Sequence, residues 1–202
     1  MRIVKKNYSG DQRSLLLSRA FNRAIKSIDV PINFEYLEFK IGYDCSEVED
    51  EKAVFGLLPE DPMLNDMDKR SARILITFEL YRLFVRNIIT RKIPLLIEDV
   101  IVAREMISRG HSEDLVYIFY AYMIRHRIKD YATFLKFNLP WIIFYNRDSF
   151  YYDLFLQLAK SKRRYNYESK AKELIEALCK DLMDFENLRN AISVYEKTMH
   201  EN

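Results

Sequence analysis

The 202-residue chain is poor in the residues that punctuate a fold, with only 4 glycines and 5 prolines. Tight turns are therefore scarce, which argues against a sandwich of many short strands and in favour of helices. Cysteine is rarer still. Cys45 and Cys179 are far apart in sequence and match no metal-ligand spacing or disulfide framework, so two free thiols in a reducing compartment are expected. Charge of one sign is not in excess, since 32 Lys and Arg face 30 Asp and Glu for a net charge of +2. That balance does not advertise a nucleic-acid or anionic-membrane surface. Long apolar runs are also missing. The greasiest stretches, such as NLPWIIFYN, fall short of the ~20 apolar residues of a membrane span. The opening MRIVKKNYSGDQRS has no apolar signal region, so no secretory signal is expected and the cytoplasm is the expected address.

What is present is a composition of 49% hydrophobic and 31% charged residues, enough for a core beneath a charged surface. Residues 11–28 read as a first helix with Leu15, Leu16, Phe21, Ala24, Ile25 and Ile28 on one stripe. Arg13, Arg19, Arg23 and Lys26 point away from it. VPINFEYLEFKIGYD changes to an alternating period with a slip at Leu37, the pattern of a strand with a bulge or face change. KAVFGLL reads as a second short strand, Ser46 to Glu51 as an acidic hairpin loop, and PEDPMLND as a turn-rich connection. Helices are predicted near 66–90, 95–109, 112–128, 130–145, 148–161 and 167–199, with Pro140 kinking or splitting the fourth. The fold class is α+β, dominated by helices, with a small N-terminal sheet. One domain over 1–202 is expected, with a mixed portion at 1–65 and a helical portion at 66–202.

The stretch SARILITFELYRLFVRN, Ser71 to Asn87, is apolar nearly all round a helix, yet it carries Glu79 and Arg82 three residues apart. Arg86 lies one turn further along the same side. Isolated charges in a core are costly and must find partners. One reading is an internal salt bridge or a narrow polar strip that reaches solvent. The other is a strip that lines a cleft.

The order helix, strand, acidic loop, short strand, turn, long buried helix and further helix resembles the zincin-type metallopeptidases, the gluzincin-like ones in particular. In that family the long helix carries H-E-x-x-H, with two imidazoles on zinc and the Glu as general base. The corresponding pentapeptide here is FELYR, Phe78 to Arg82. The resemblance implies that Glu79 matches the base and that Phe78 and Arg82 stand in place of the histidines. It also implies a third ligand position on the following helix, at Glu105 or Glu98. A phenyl ring cannot ligate zinc, and a guanidinium is always charged and repels a cation. The implied domain is a degenerate one without metal, its former site filled by a fixed positive charge.

No other constellation supplies chemistry. His111, His126 and His200 lie apart, and neither a nucleophile elbow nor a glycine-rich phosphate cradle occurs. Cys45 sits in the acidic YDCSEVED, which makes a thiol sluggish, and Cys179 reads as a small apolar helix residue. Fourteen aromatic residues between Tyr117 and Phe155 include the only Trp, Trp141. The helical spacing of Tyr117, Tyr120, Ile124 and Ile128, with acids interleaved, favours core packing over a stacking surface for nucleic acid. The C-terminal part opens with Lys160, Lys162, Arg163 and Arg164. An amphipathic helix follows, carrying Leu174, Ala177, Leu178, Leu182, Phe185, Leu188 and Ile192. Residues 165–202 either pack on their own domain or form an arm for a homodimer or protein partner. Two functions stay open: a catalytically inert zincin-like protein binding a peptide or protein partner, and a helical interaction protein with no peptidase ancestry. No cofactor or metal and no catalytic residue is expected.

Overall fold

Arg2 to Asn7 form a strand, β1, that pairs in parallel with β2 (Tyr36–Ile41). Nothing in the hydrophobic pattern announces it, because it is an exposed edge strand rich in charge. Between the two strands runs α1 (Ser14–Ser27), the crossover a parallel pair requires. The chain continues through β3 (Cys45–Glu49), β4 (Lys52–Leu57) and α2 (Lys69–Ile88). The strand order is β1-β2-β4-β3, with β4 parallel to β2 and β3 antiparallel to β4. The computed structural model describes residues 1–64, 68–89, 92–162 and 165–200. The chain divides into two compact units, Met1–Arg91 and Lys92–Asn202. The compositional change near residue 65 falls inside the first unit, because α2 packs on α1 and against β3.

In the first unit the pleat sends Leu37, Phe39 and Ile41 of β2 and Ala53, Phe55 and Leu57 of β4 into one core with both helices. Phe21 of α1 stacks on Phe39 with ring centroids 4.9 Å apart, and Phe39 stacks on Phe55 at 4.9 Å. No bulge interrupts β2, whose register runs without a break from Tyr36 to Ile41. The slip in the alternation at Leu37 marks the start of the strand, and Ile32 and Phe34 precede it. The acidic stretch is a strand as well. Cys45 to Glu49 pair with β4, and the turn is confined to Asp50 and Glu51, with Asp50 at φ 42°. Acidic residues mislead here because Glu47 and Glu49 share the face opposite the core, where charge costs nothing. Since β4 lies between β2 and β3, the connection from β2 crosses the end of β4. Gly56 permits this, as a Cβ there would stand 1.9 Å from the Tyr43 carbonyl oxygen.

The opposite face of the sheet is polar. Glu38 at its centre forms an ion pair with Lys6 Nζ of β1 at 3.0 Å and accepts from the Tyr36 hydroxyl at 2.9 Å. Burial pushes its carboxyl up, but the hydrogen bonds from Lys6 and Tyr36 outweigh it and hold it below the ordinary value.

The second unit is all helical. It comprises α3 (Leu95–Ser108), α4 (Ser112–Arg125), α5 (Tyr131–Phe144), α6 (Ser149–Ser161), α7 (Tyr165–Cys179) and α8 (Phe185–His200). Helix α5 is its centre and packs against α3, α4, α6 and α7, while α8 packs on α7. Pro140 does not split α5, which runs through it from Tyr131 to Phe144. The expected helix over 167–199 is two helices. Asp184 accepts from the Asn187 amide at 2.9 Å and so caps a new start, while Asp181 takes the Met183 amide in the intervening turn. Leu182 in that turn is buried, whereas Phe185, expected on the apolar side, is exposed. The aromatics do supply core at Phe119, Tyr122, Phe134, Phe137, Phe144 and Phe155, but Tyr120 and Ile124 face solvent. Arg163 and Arg164 of the basic cluster lie outside the described residues.

One cation is buried among the described residues of this unit. Arg104 of α3 donates to the carbonyls of Ile142 at 2.9 Å and Lys180 at 2.6 Å. These lie in the last turn of α5 and just past the end of α7, where helix carbonyls collect partial negative charge. Burial pulls the guanidinium down to about 10, which leaves it charged at neutral pH.

Arg104→Ala is expected to lower the unfolding free energy in urea by about 3 kcal/mol, and Arg104→Lys to recover only part, having no planar fork. In acid, stability is expected to fall as the pH drops below 4.5, the ordinary value from which Glu38 is lowered. A carboxylate with a depressed folded pKa stabilises above its unfolded value and loses that contribution as it protonates. Thermal melts of Glu38→Gln should show a shallower acid limb than the parent.

Candidate functional site

The FELYR segment lies in the middle of α2, whose start is set by Asp68 accepting from the Arg70 amide at 2.9 Å. A side chain three positions along a helix lies on the same side as the first, so Glu79 and Arg82 are neighbours. Arg82 Nη1 donates to Glu79 Oε1 at 2.5 Å, and the two side chains are only 12% and 10% exposed. The same guanidinium lies over the Phe78 ring, 5.3 Å from its centroid. Arg82 is thus flanked by a carboxylate and an aromatic face, the two environments that hold a partly buried guanidinium. Tyr81, the residue before Arg82, is fully buried and donates a hydrogen bond from its hydroxyl to Asp29.

Arg86, one turn on, faces a different partner. Its Nη1 donates to the Ser46 carbonyl at 2.5 Å and contacts the Ser46 hydroxyl at 2.8 Å. A two-residue turn makes Glu49 and Lys52 a hydrogen-bonded pair, so alternation leaves Ser46 opposite Phe55 with its carbonyl directed outward. The guanidinium therefore takes one outward acceptor of edge strand β3, the kind of group that otherwise recruits a further strand.

Glu98 and Glu105 belong to α3 of the second unit. Glu98 is buried in the first turn of α3, and Glu105 pairs with Arg109 at 2.7 Å one turn along. The structure brings Glu79 and Arg82 into contact, turns Arg86 to Ser46, and gives Glu105 a partner at the C-cap of its own helix. Among the described residues no three His, Cys, Asp or Glu side chains assemble into a metal-holding group. His111 lies 3.6 Å from Asp114, and His126 stacks on Tyr122 at 4.5 Å. The thiols are poor nucleophiles. Burial, above all, raises Cys179 to about 11. Cys45 is also raised, by burial first and then by Glu47 and Asp44 against the opposing pull of Lys40.

Two features escaped the sequence. Arg104 falls on the stripe begun by Ile97, Val100 and Ile101, so an arginine at a core position of the helical period was its visible signal. A second is a groove between α1 and α2, where Arg19 and Arg23 meet Lys69, Arg70 and Arg73. No local pattern links those two helix faces.

No protein-family model, curated protein or solved structure matches the chain.

Removing one member of a buried ion pair leaves the other charge uncompensated. Arg82→Ala is therefore expected to cost about 3 kcal/mol in chemical denaturation, well beyond the ~0.5 kcal/mol of an ordinary surface substitution. The Glu79→Leu, Arg82→Met double variant should return most of that loss, as apolar replacement of a buried pair is often neutral.

Proposed function

We propose that this chain is a non-catalytic protein with a zincin-like N-terminal unit, in which a fixed guanidinium replaces the metal and whose role is to bind a protein or peptide partner. The observation that carries the reading is the seat of Arg82, 2.5 Å from the Glu79 carboxylate and stacked on Phe78. The two positions that would carry imidazoles hold a ring without a lone pair and a permanent cation. A divalent ion gains no ligand from either, and the cation repels it. The Glu79 Oε1 atom is engaged by the guanidinium. The placement of α2 against α1 and the sheet supports the zincin-like reading. Because Arg86 holds the outward carbonyl of Ser46, we place the partner surface away from the β3 edge of the sheet. Two unbridged cysteines suit a reducing compartment and support a cytoplasmic address.

Zinc binding tests the reading. The parent chain, titrated with zinc and weighed by native mass spectrometry, is expected to bind no stoichiometric metal and to leave peptide substrates intact. Phe78→His combined with Arg82→His should bind about one zinc at sub-micromolar affinity, which demands more than an i,i+4 imidazole pair. Stoichiometric zinc in the parent would overturn the non-catalytic reading. Binding in the double variant no tighter than a bare histidine pair would overturn the zincin-like one.

A further inference from the structure

We propose that the groove between α1 and α2 is a docking site for an acidic, amphipathic helical segment of a partner protein. The groove encloses about 1050 Å³ within the first unit. Its floor is apolar, formed by Leu15, Leu16 and Ala20 of α1, and Leu15 is 63% exposed. Two rails of positive charge flank it. Arg19 and Arg23, one turn apart, line one side, and Lys69, Arg70 and Arg73 in the first turns of α2 line the other. No carboxylate is among the described lining residues.

This concentration is local, because the chain as a whole carries a net charge of only +2. Three other cations of the same unit are matched: Lys6 holds Glu38, Arg13 holds Asp11 and Arg82 holds Glu79. Arg19, Arg23 and Lys69 have no ion-pair partner among the described residues. These three like charges repel one another and are relieved by an anionic occupant.

The shape and lining select among anions. A pair of packed helices presents a trough into which a third helix fits, with apolar side chains at i, i+3 and i+4 on the floor and acids towards both rails. A single-stranded nucleic acid needs aromatic faces for its bases, and the described lining has none. A membrane surface engages a projecting apolar face, whereas here the apolar residues lie within a concavity. The charge pattern and the leucine floor together fit an acidic helix. This assignment does not depend on the Arg82 reading, and zinc titration cannot decide it.

The full-length chain is used as bait for a random peptide library displayed on phage. The selected sequences are then fluorescein-labelled and measured by anisotropy, beside a labelled single-stranded oligonucleotide of mixed sequence. Selected peptides are expected to carry Asp and Glu at helical spacing around Leu or Ile. Arg19→Glu with Arg23→Glu on α1, and separately Lys69→Glu on α2, should weaken binding, the double variant by at least about tenfold, and added salt should weaken it further. Arg189→Glu on the exposed side of α8 should leave it unchanged, and circular dichroism melts should show all variants folded. Three results would overturn the proposal: selection of peptides with no acidic excess or of none at all, affinity unmoved by reversal on both helices, or tighter binding of the oligonucleotide.

Discussion

A guanidinium taken out of water must be given oxygen, and three arginines in this protein are placed by that rule. Arg82 has the Glu79 carboxylate and the face of Phe78. Arg86 has the carbonyl and hydroxyl of Ser46. Arg104 has two main-chain carbonyls at the ends of α5 and α7. Each is tied to a helix whose other faces are largely buried, so the cost of moving the cation is the cost of moving the helix. Arg82 binds within its own helix, Arg86 ties α2 to the sheet edge, and Arg104 ties α3 to two neighbours. The planar fork suits these tasks because it serves two acceptors at once without deprotonating.

The sheet explains why such a latch is needed. Three parallel strands require crossovers, and the chain supplies α1 for the first and a split hairpin for the second. The detour to β3 depends on the absence of a side chain at Gly56 and leaves β3 at the edge with one partner strand. An edge strand with unmatched acceptors invites association. A cation from α2 on Ser46, acidic side chains on the outward face and a short length each discourage it. The same helix that closes this edge contributes, with its first turns, one rail of the basic groove. Its middle is devoted to an internal ion pair.

Much of this was legible in the residues. The α+β class with a small N-terminal sheet and helices after it follows from scarce glycine and proline and from the change of period near Pro31. The pairing of Glu79 with Arg82 follows from their i,i+3 spacing in an apolar helix. Elements were missed where a strand is stabilised by its neighbours and not by its own pattern. β1 is charged and exposed, and the acidic Cys45 to Glu49 stretch carries its polarity on one face only. The break between α7 and α8 is written in Asp181 and Asp184, whose cap role competes with a continuing apolar stripe.

By itself, the sequence determined the helix-rich class and the central apolar helix with its internal charge pair. Both are local, since they depend on residue type and on spacing within a few turns. The tertiary structure alone decided that Arg104 joins two helix ends, that Arg86 reaches Ser46, and that the charged sides of α1 and α2 face one groove. These join residues tens of positions apart, and side-chain period says which face of a helix is polar but not which other face it will meet.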